Sequence, residues 1–121
     1  MIKLSIFLVE DDALIAASLI HIIASLGHTV CGHAQTYDEA IEQLPAADAD
    51  LVILDIMLKG EKTGIDVANF INANLHLPFI IQSSISSFDV MLEARKTGPC
   101  AILKKPVSKA LLQTSLAIIA V

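Results

Sequence analysis

The 121 residues suit a single domain, and a chain of that length buries a hydrophobic core without disulfides or a structural metal. The net charge is −5 with no basic stripe, which argues against nucleic acid as a direct partner, because neutralising phosphates takes clustered Lys and Arg. Hydrophobic residues make up 55% of the chain, yet no charge-free apolar run is long enough to span a bilayer. Met1-Ile2-Lys3 also enters a strand pattern with no signal-peptide core, so a soluble, cytoplasmic protein without membrane contact is expected.

In chain order, Lys3–Val9 reads as a strand of β-branched and aliphatic residues. Ala13–Leu26 has helical periodicity and stops at Gly27, with Asp12 as its N-cap. His28–Ala34 is a second strand. Thr36 and Glu39 form a capping-box pattern for a helix to about Leu44, closed by Pro45. Leu51–Leu54 is a short, wholly apolar strand. Gly64 leads into a helix to about Ala73, and Pro78 opens a strand over Phe79–Gln82. After a Ser-rich turn, Phe88 to Thr97 is helical and ends at Gly98-Pro99. Cys100–Lys104 is the fifth strand, and Ser108 caps a last helix running to the C-terminus. That helix carries Leu111, Leu112, Leu116, Ile118, Ile119 and Val121, of which Leu112, Leu116 and Ile119 make an inward stripe.

Strict alternation of strands and helices implies parallel strands with right-handed crossovers. Strands apolar on both faces fit a covered sheet. The expected architecture is a doubly wound α/β fold with five strands and five helices. Ligands of such folds bind outside the carboxyl ends of the strands. Cys31 and Cys100 fall in strand patterns and are expected to be inert core thiols.

Four strands end in chemistry-bearing residues: Glu10-Asp11, Asp55, Ser83 and Lys105-Pro106. Each alone has a plain reading, as a capped turn, a polar turn or an exposed strand end. Together they describe one site. Carboxylates from Glu10, Asp11 and Asp55 brought within a few ångströms repel one another, and a hard divalent cation relieves the repulsion. Mg²⁺ favours one or two carboxylates, retained waters and a phosphate oxygen, so Asp11 and Asp55 are the direct ligands and Glu10 acts through water. Asp55 can attack phosphorus to give an acyl phosphate. Lys105 and the metal neutralise the developing charge, and Ser83 donates a hydrogen bond. A cis Lys105–Pro106 bond is one way to aim the lysine inward.

These residues resemble the receiver domain of two-component response regulators. The matching pieces are LVEDD, LVILDIMLKGEKTGIDVA around Asp55, PFIIQSS and KKP, and they extend over essentially the whole chain, 1–121. The resemblance implies a flavodoxin-like sheet in strand order 2-1-3-4-5. It implies that Asp55 accepts a phosphoryl group from a phosphohistidine on a sensor kinase or histidine phosphotransfer protein. Mg²⁺ would sit on Asp11, Asp55 and the backbone carbonyl of Met57, assisted by Glu10. Lys105, Ser83 and the backbone N–H groups of Met57 and Ser84 would hold the phosphoryl oxygens. That strand order puts the two cysteines on opposite edges, about 20 Å apart at roughly 4.8 Å per strand, too far for a disulfide.

The chain departs from the commonest family pattern in two places. The loop after Asp55 reads IMLKGEKTG, one residue longer than the usual form and without its proline. The position that usually carries a rotating aromatic is Ile102, so signalling through the fourth helix and fifth strand cannot use that rotation. Met57 and Ile85 flank the site and are apolar, which predicts poor orientation of attacking water and a long-lived acyl phosphate. The surplus apolar residues of the last helix are read either as core packing or as a contact face. The second reading predicts a phosphorylation-enhanced homodimer through the fourth-helix, fifth-strand, fifth-helix face. His21, His28, His33 and His76 lack metal-ligand spacing and read as ordinary histidines. A degenerate, phosphorylation-independent binding module is the main rival, and the retained Asp11, Asp55, Ser83 and Lys105 oppose it. An aspartyl-phosphate phosphatase would need a second acid where Met57 stands. A nucleotide- or flavin-binding domain would need a Gly-rich loop in place of the acidic turn. With a last helix at the end of the sequence, no output domain is expected to follow, and the pattern fits a stand-alone receiver, a relay intermediate or an excised domain.

Overall fold

The computed structural model describes residues 2–119. The elements are β1 (Ser5–Val9), α1 (Ala13–Ser25), β2 (Thr29–Ala34), α2 (Tyr37–Gln43) with a 3₁₀ turn over Leu44–Ala46, β3 (Leu51–Asp55), α3 (Gly64–Asn74), β4 (Phe79–Ser83), α4 (Phe88–Lys96), β5 (Ala101–Lys104) and α5 (Lys109–Ile119). All four strand pairings are parallel, and the order is β2-β1-β3-β4-β5. The doubly wound α/β sheet therefore has the order that the resemblance implied. No helix among the described residues is long and apolar enough to cross a membrane.

The two-residue repeat of the strands explains the layers. Phe7, Val9, Val52, Leu54, Phe79 and Ile81 point to one face and pack on α2, α3 and α4 through Ala40, Val67, Ile71 and Ala94. Ile6, Leu8, Ile53 and Ile80 point to the other and meet Ala16, Leu19 and Ile23 of α1 and Leu112 and Leu116 of α5. Each such side chain fully buried contributes about 1.5–3 kcal/mol. Every residue of β3 and β4 is buried, as expected of central strands.

Local chemistry fixes the helix starts. Asp12 accepts from the backbone N–H groups of Leu14 and Ile15, as the sequence predicts. The Thr36–Glu39 pattern is only half realised: Thr36 Oγ1 accepts from Glu39 N, but the Glu39 carboxylate reaches past Thr36 to Gln35 N. The reciprocal capping box lies instead at α3, where Thr63 Oγ1 accepts from Ile65 N and Asp66 Oδ2 accepts from Thr63 N. Ser108 caps α5 through Leu111 N.

The expectation of core thiols is corrected. Cys31 is half-buried on the edge strand β2, and Cys100 is exposed in the turn ahead of β5. An edge strand has a neighbour on one flank only, which leaves Cys31 partly open, and Cys100 lies outside the sheet altogether. Burial still pushes the Cys31 thiol up, away from reactivity. On α5, Leu112 and Leu116 are buried and Ile119 packs beside them, while Leu111 and Ile118 face outward. Val121 lies outside the described residues.

Candidate functional site

The parallel register sets the site. Val9 pairs with Leu54, Asp55 with Gln82, and Ser83 with Lys104. One step beyond, the carboxyl ends of β1, β3, β4 and β5 deliver Glu10-Asp11, Asp55, Ser83 and Lys105 to a common rim. The backbone N–H of Glu10 still bonds Ala34 O, and that of Lys105 bonds Ser83 O, so both residues are held by the sheet.

Glu10, Asp11 and Asp55 each offer a carboxylate oxygen, and these oxygens lie within 4.8 Å of one another. Such a set of hard oxygen donors fits a divalent cation such as Mg²⁺. Glu10 is fully buried and Asp55 nearly so, while Asp11 is half-exposed at the mouth. The Lys105 ammonium joins the two buried acids: Nζ is 2.7 Å from Glu10 Oε1 and 2.5 Å from Asp55 Oδ2. Burial alone would lower the Lys105 pKa, but the hydrogen bonds it donates to Asp55 and Glu10 outweigh that and hold the ammonium above the usual lysine range. For Glu10 the balance is reversed. Burial pushes its carboxyl up, and the bonds from Lys105 and Asp12 N only partly oppose that.

The sequence predicted Glu10, Asp11, Asp55 and Lys105 as one site, and the fold brings them together. Ser83 is buried at the end of β4, and its Oγ accepts from Ile85 N at 2.9 Å. Met57 N points back to Asp55 Oδ1 at 3.4 Å. The Lys105–Pro106 bond is cis.

Three further residues shape the site and were not legible beforehand. Gln82 is buried, and its Nε2 donates to Glu10 Oε1 at 3.2 Å. A polar residue directly after the apolar run Phe79–Ile81 and still within the strand was the available signal. His33, on β2, contacts the Glu10 carbonyl through Nε2 at 2.8 Å. A carbonyl cannot donate, so Nε2 carries the proton. Gly64 packs directly behind Asp55: its N–H bonds Ile56 O, and a Cβ there would overlap the Asp55 carbonyl. His28 is structural, since its Nδ1 accepts from Leu4 N.

A family model described as the response regulator receiver domain matches residues 6–117. The transcriptional regulatory protein PdtaR of Mycobacterium tuberculosis is 32% identical over 85% of the chain and 50% of its own length. The phyllosphere-induced regulator PhyR of Methylorubrum extorquens is 28% identical over 87% of the chain and 39% of its own length. The chain thus spans half or less of these curated relatives. Among solved structures, the signal receiver domain of a modulated diguanylate cyclase from Desulfovibrio desulfuricans superposes with a TM-score of 0.92 at 30% identity, covering 98% of this chain and 94% of that one. The receiver domain of PhyR from Erythrobacter litoralis gives 0.85 at 26% identity, with 97% and 89% covered.

Proposed function

The chain belongs to the response regulator receiver domain family of two-component signalling, and from that premise we propose that residues 1–121 form one receiver that works as a phospho-accepting switch at Asp55. Asp55 attacks the phosphorus of a phosphohistidine on a sensor kinase or phosphotransfer protein. A P–O bond forms as the P–N bond breaks, and the electron pair leaves on the imidazole nitrogen, which takes up a proton. A bound Mg²⁺, held by Asp11, Asp55 and the Met57 carbonyl with Glu10 assisting, would neutralise charge on the phosphoryl oxygens. The observation that carries this reading is the Lys105 ammonium on Asp55 Oδ2, within one cluster of three carboxylates.

Phosphorylation adds charge and strong acceptors where Lys105 and Ser83 can answer it. The Lys105 ammonium transfers from the acids to a phosphoryl oxygen. Ser83 Oγ, which now only accepts, is free to donate its own proton to another, and the loop after β4 closes. Ile102 is half-buried against the α4 side of the core, so the change is carried by the β4–α4 loop and α4 itself as a population shift. Peptide mapping after borohydride reduction of the acyl phosphate tests the assignment. The reduced residue should be Asp55, and a mark elsewhere would refute it.

Met57 is exposed and Ile85 half-buried, and neither side chain offers a donor or a strong acceptor to an attacking water. Replacing Met57 by Asn and Ile85 by Gln together is expected to speed phosphate loss about tenfold, the scale of one added hydrogen bond. Decay of isolated phosphoprotein measures this, and an unchanged half-life would defeat it.

The output face is proposed to be α4-β5-α5. Phe88 and Leu92 lie four apart on α4, and Leu111 and Ile118 seven apart on α5; all four are exposed. Light scattering should show a monomer that becomes a dimer on phosphorylation. A monomer in both states would rule it out.

A further inference from the structure

We propose that Gln82 is a positioning residue that holds the buried Glu10 carboxylate while Lys105 transfers to the phosphoryl group; the inference rests on the phospho-acceptor reading above. Glu10 is fully buried, so its oxygens depend on donors within the site. Oε2 has the backbone N–H of Asp12 at 3.1 Å. Oε1 has two donors, Lys105 Nζ at 2.7 Å and Gln82 Nε2 at 3.2 Å. Transfer of the ammonium to the phosphoryl group, as proposed above, would remove the first of these. Without Gln82, Oε1 would then be a buried anionic oxygen with no protein donor, and leaving such a group unpaired is costly. That cost would fall on the phosphorylated form and on the transition state leading to it. With Gln82 in place, Oε1 keeps a partner throughout, and the ammonium is free to move.

The topology shows why this residue type is needed. Gln82 is in register with Asp55, and Glu10 follows the residue paired with Leu54, so β3 separates the two. Their backbones stand two strand spacings apart, roughly 10 Å. Two long side chains are required to meet over the end of β3, and Glu10 and Gln82 supply them. The Gln82 side chain donates to Glu10 and makes no bond to Asp55, so it acts through Glu10 and Lys105.

The test compares wild type, Gln82→Met, Lys105→Met and the double variant, all with acetyl phosphate and Mg²⁺, and follows the Gln82 side-chain amide of the wild type by NMR. Methionine keeps the length and volume but cannot donate. Gln82→Met should lower the maximal phosphorylation rate about tenfold, the effect of one hydrogen bond to a charged group. Mg²⁺ affinity, by calorimetry, should change less than about twofold on the same scale, since Lys105 still covers Glu10 before transfer. In the Lys105→Met background the same change should have no further effect, because no ammonium departs. In the wild type, the Gln82 amide proton should move downfield on phosphorylation as its bond to Glu10 takes over. An unaltered rate, an equal loss in both backgrounds, or an unmoved amide resonance would overturn the proposal. A wild-type chain that takes up no phosphoryl group defeats the phospho-acceptor reading itself, and is distinguished from these by coming before any variant.

Discussion

Lys105→Met is expected to destabilise the metal-free protein by about 3–5 kcal/mol, the cost of stripping one partner from a buried ion pair. Lys105 is 12% exposed at its side chain, and its partners Glu10 and Asp55 are 0% and 6% exposed, so little solvent screens the loss. The variant leaves carboxylates of Glu10, Asp11 and Asp55 within 4.8 Å of one another with no ammonium between them. The pH dependence follows. In the wild type the Lys105 pKa is raised on folding, so its stabilisation is complete below 10.5 and is lost as pH climbs through the folded value. The variant lacks that alkaline loss. The Glu10 pKa is raised by burial, and losing Lys105 removes the strongest opposing bond. Folded Glu10 then holds its proton above the ordinary 4.5, and stability falls as pH rises from there through a wider window than in wild type. Urea melts from pH 4 to 8 should show a steeper decline in the variant, and Mg²⁺ should restore part of the stability by mass action. Equal stability of the two proteins at neutral pH would contradict the ion-pair account.

Gly64→Ala is expected to cost about 3 kcal/mol, at the upper end of overpacking penalties. The reason is space, not backbone dihedral. A Cβ at Gly64 would overlap the Asp55 carbonyl oxygen and stand 2.7 Å from its carbon and 3.0 Å from Ile56 Cα. Those atoms are backbone, and the Gly64 N–H to Ile56 O bond at 2.8 Å pins the two segments together. Relief requires β3 and α3 to separate, which displaces Asp55 and Met57. Chemical denaturation should show the loss, and Mg²⁺ affinity should fall with it. Gly60→Ala is the control: Gly60 has φ +97, so the variant is strained, but its Cβ meets open space and Asp55 stays in place. Full stability in Gly64→Ala would show that the close approach is not needed.

Much of this was legible because parallel α/β chains gather their chemistry at one end. Glu10, Asp11, Asp55, Ser83 and Lys105 each stand within two residues of the end of an apolar run, and in-register pairing turns that pattern into proximity. What pattern could not carry was side-chain reach. Gln82 reads as the last residue of a strand, and only the fold shows it crossing β3 to Glu10. Glu39 fits a capping-box pattern, yet its carboxylate bonds one residue too early, while the reciprocal box lies at Thr63 and Asp66, where Gly64 opens the helix. Cys100 carried strand character but stands exposed in the turn before β5. Gly64 looked like an ordinary helix opener, since close backbone approach leaves no mark in a single sequence.

The most direct measurement is intact-mass spectrometry after incubation with acetyl phosphate and Mg²⁺, beside Asp55→Asn and a metal-free control. The expected result is one added phosphoryl group on the wild type and none on either control. A folded wild-type chain that gains nothing, or an Asp55→Asn chain that gains the same mass, would contradict the assignment of Asp55 as phospho-acceptor.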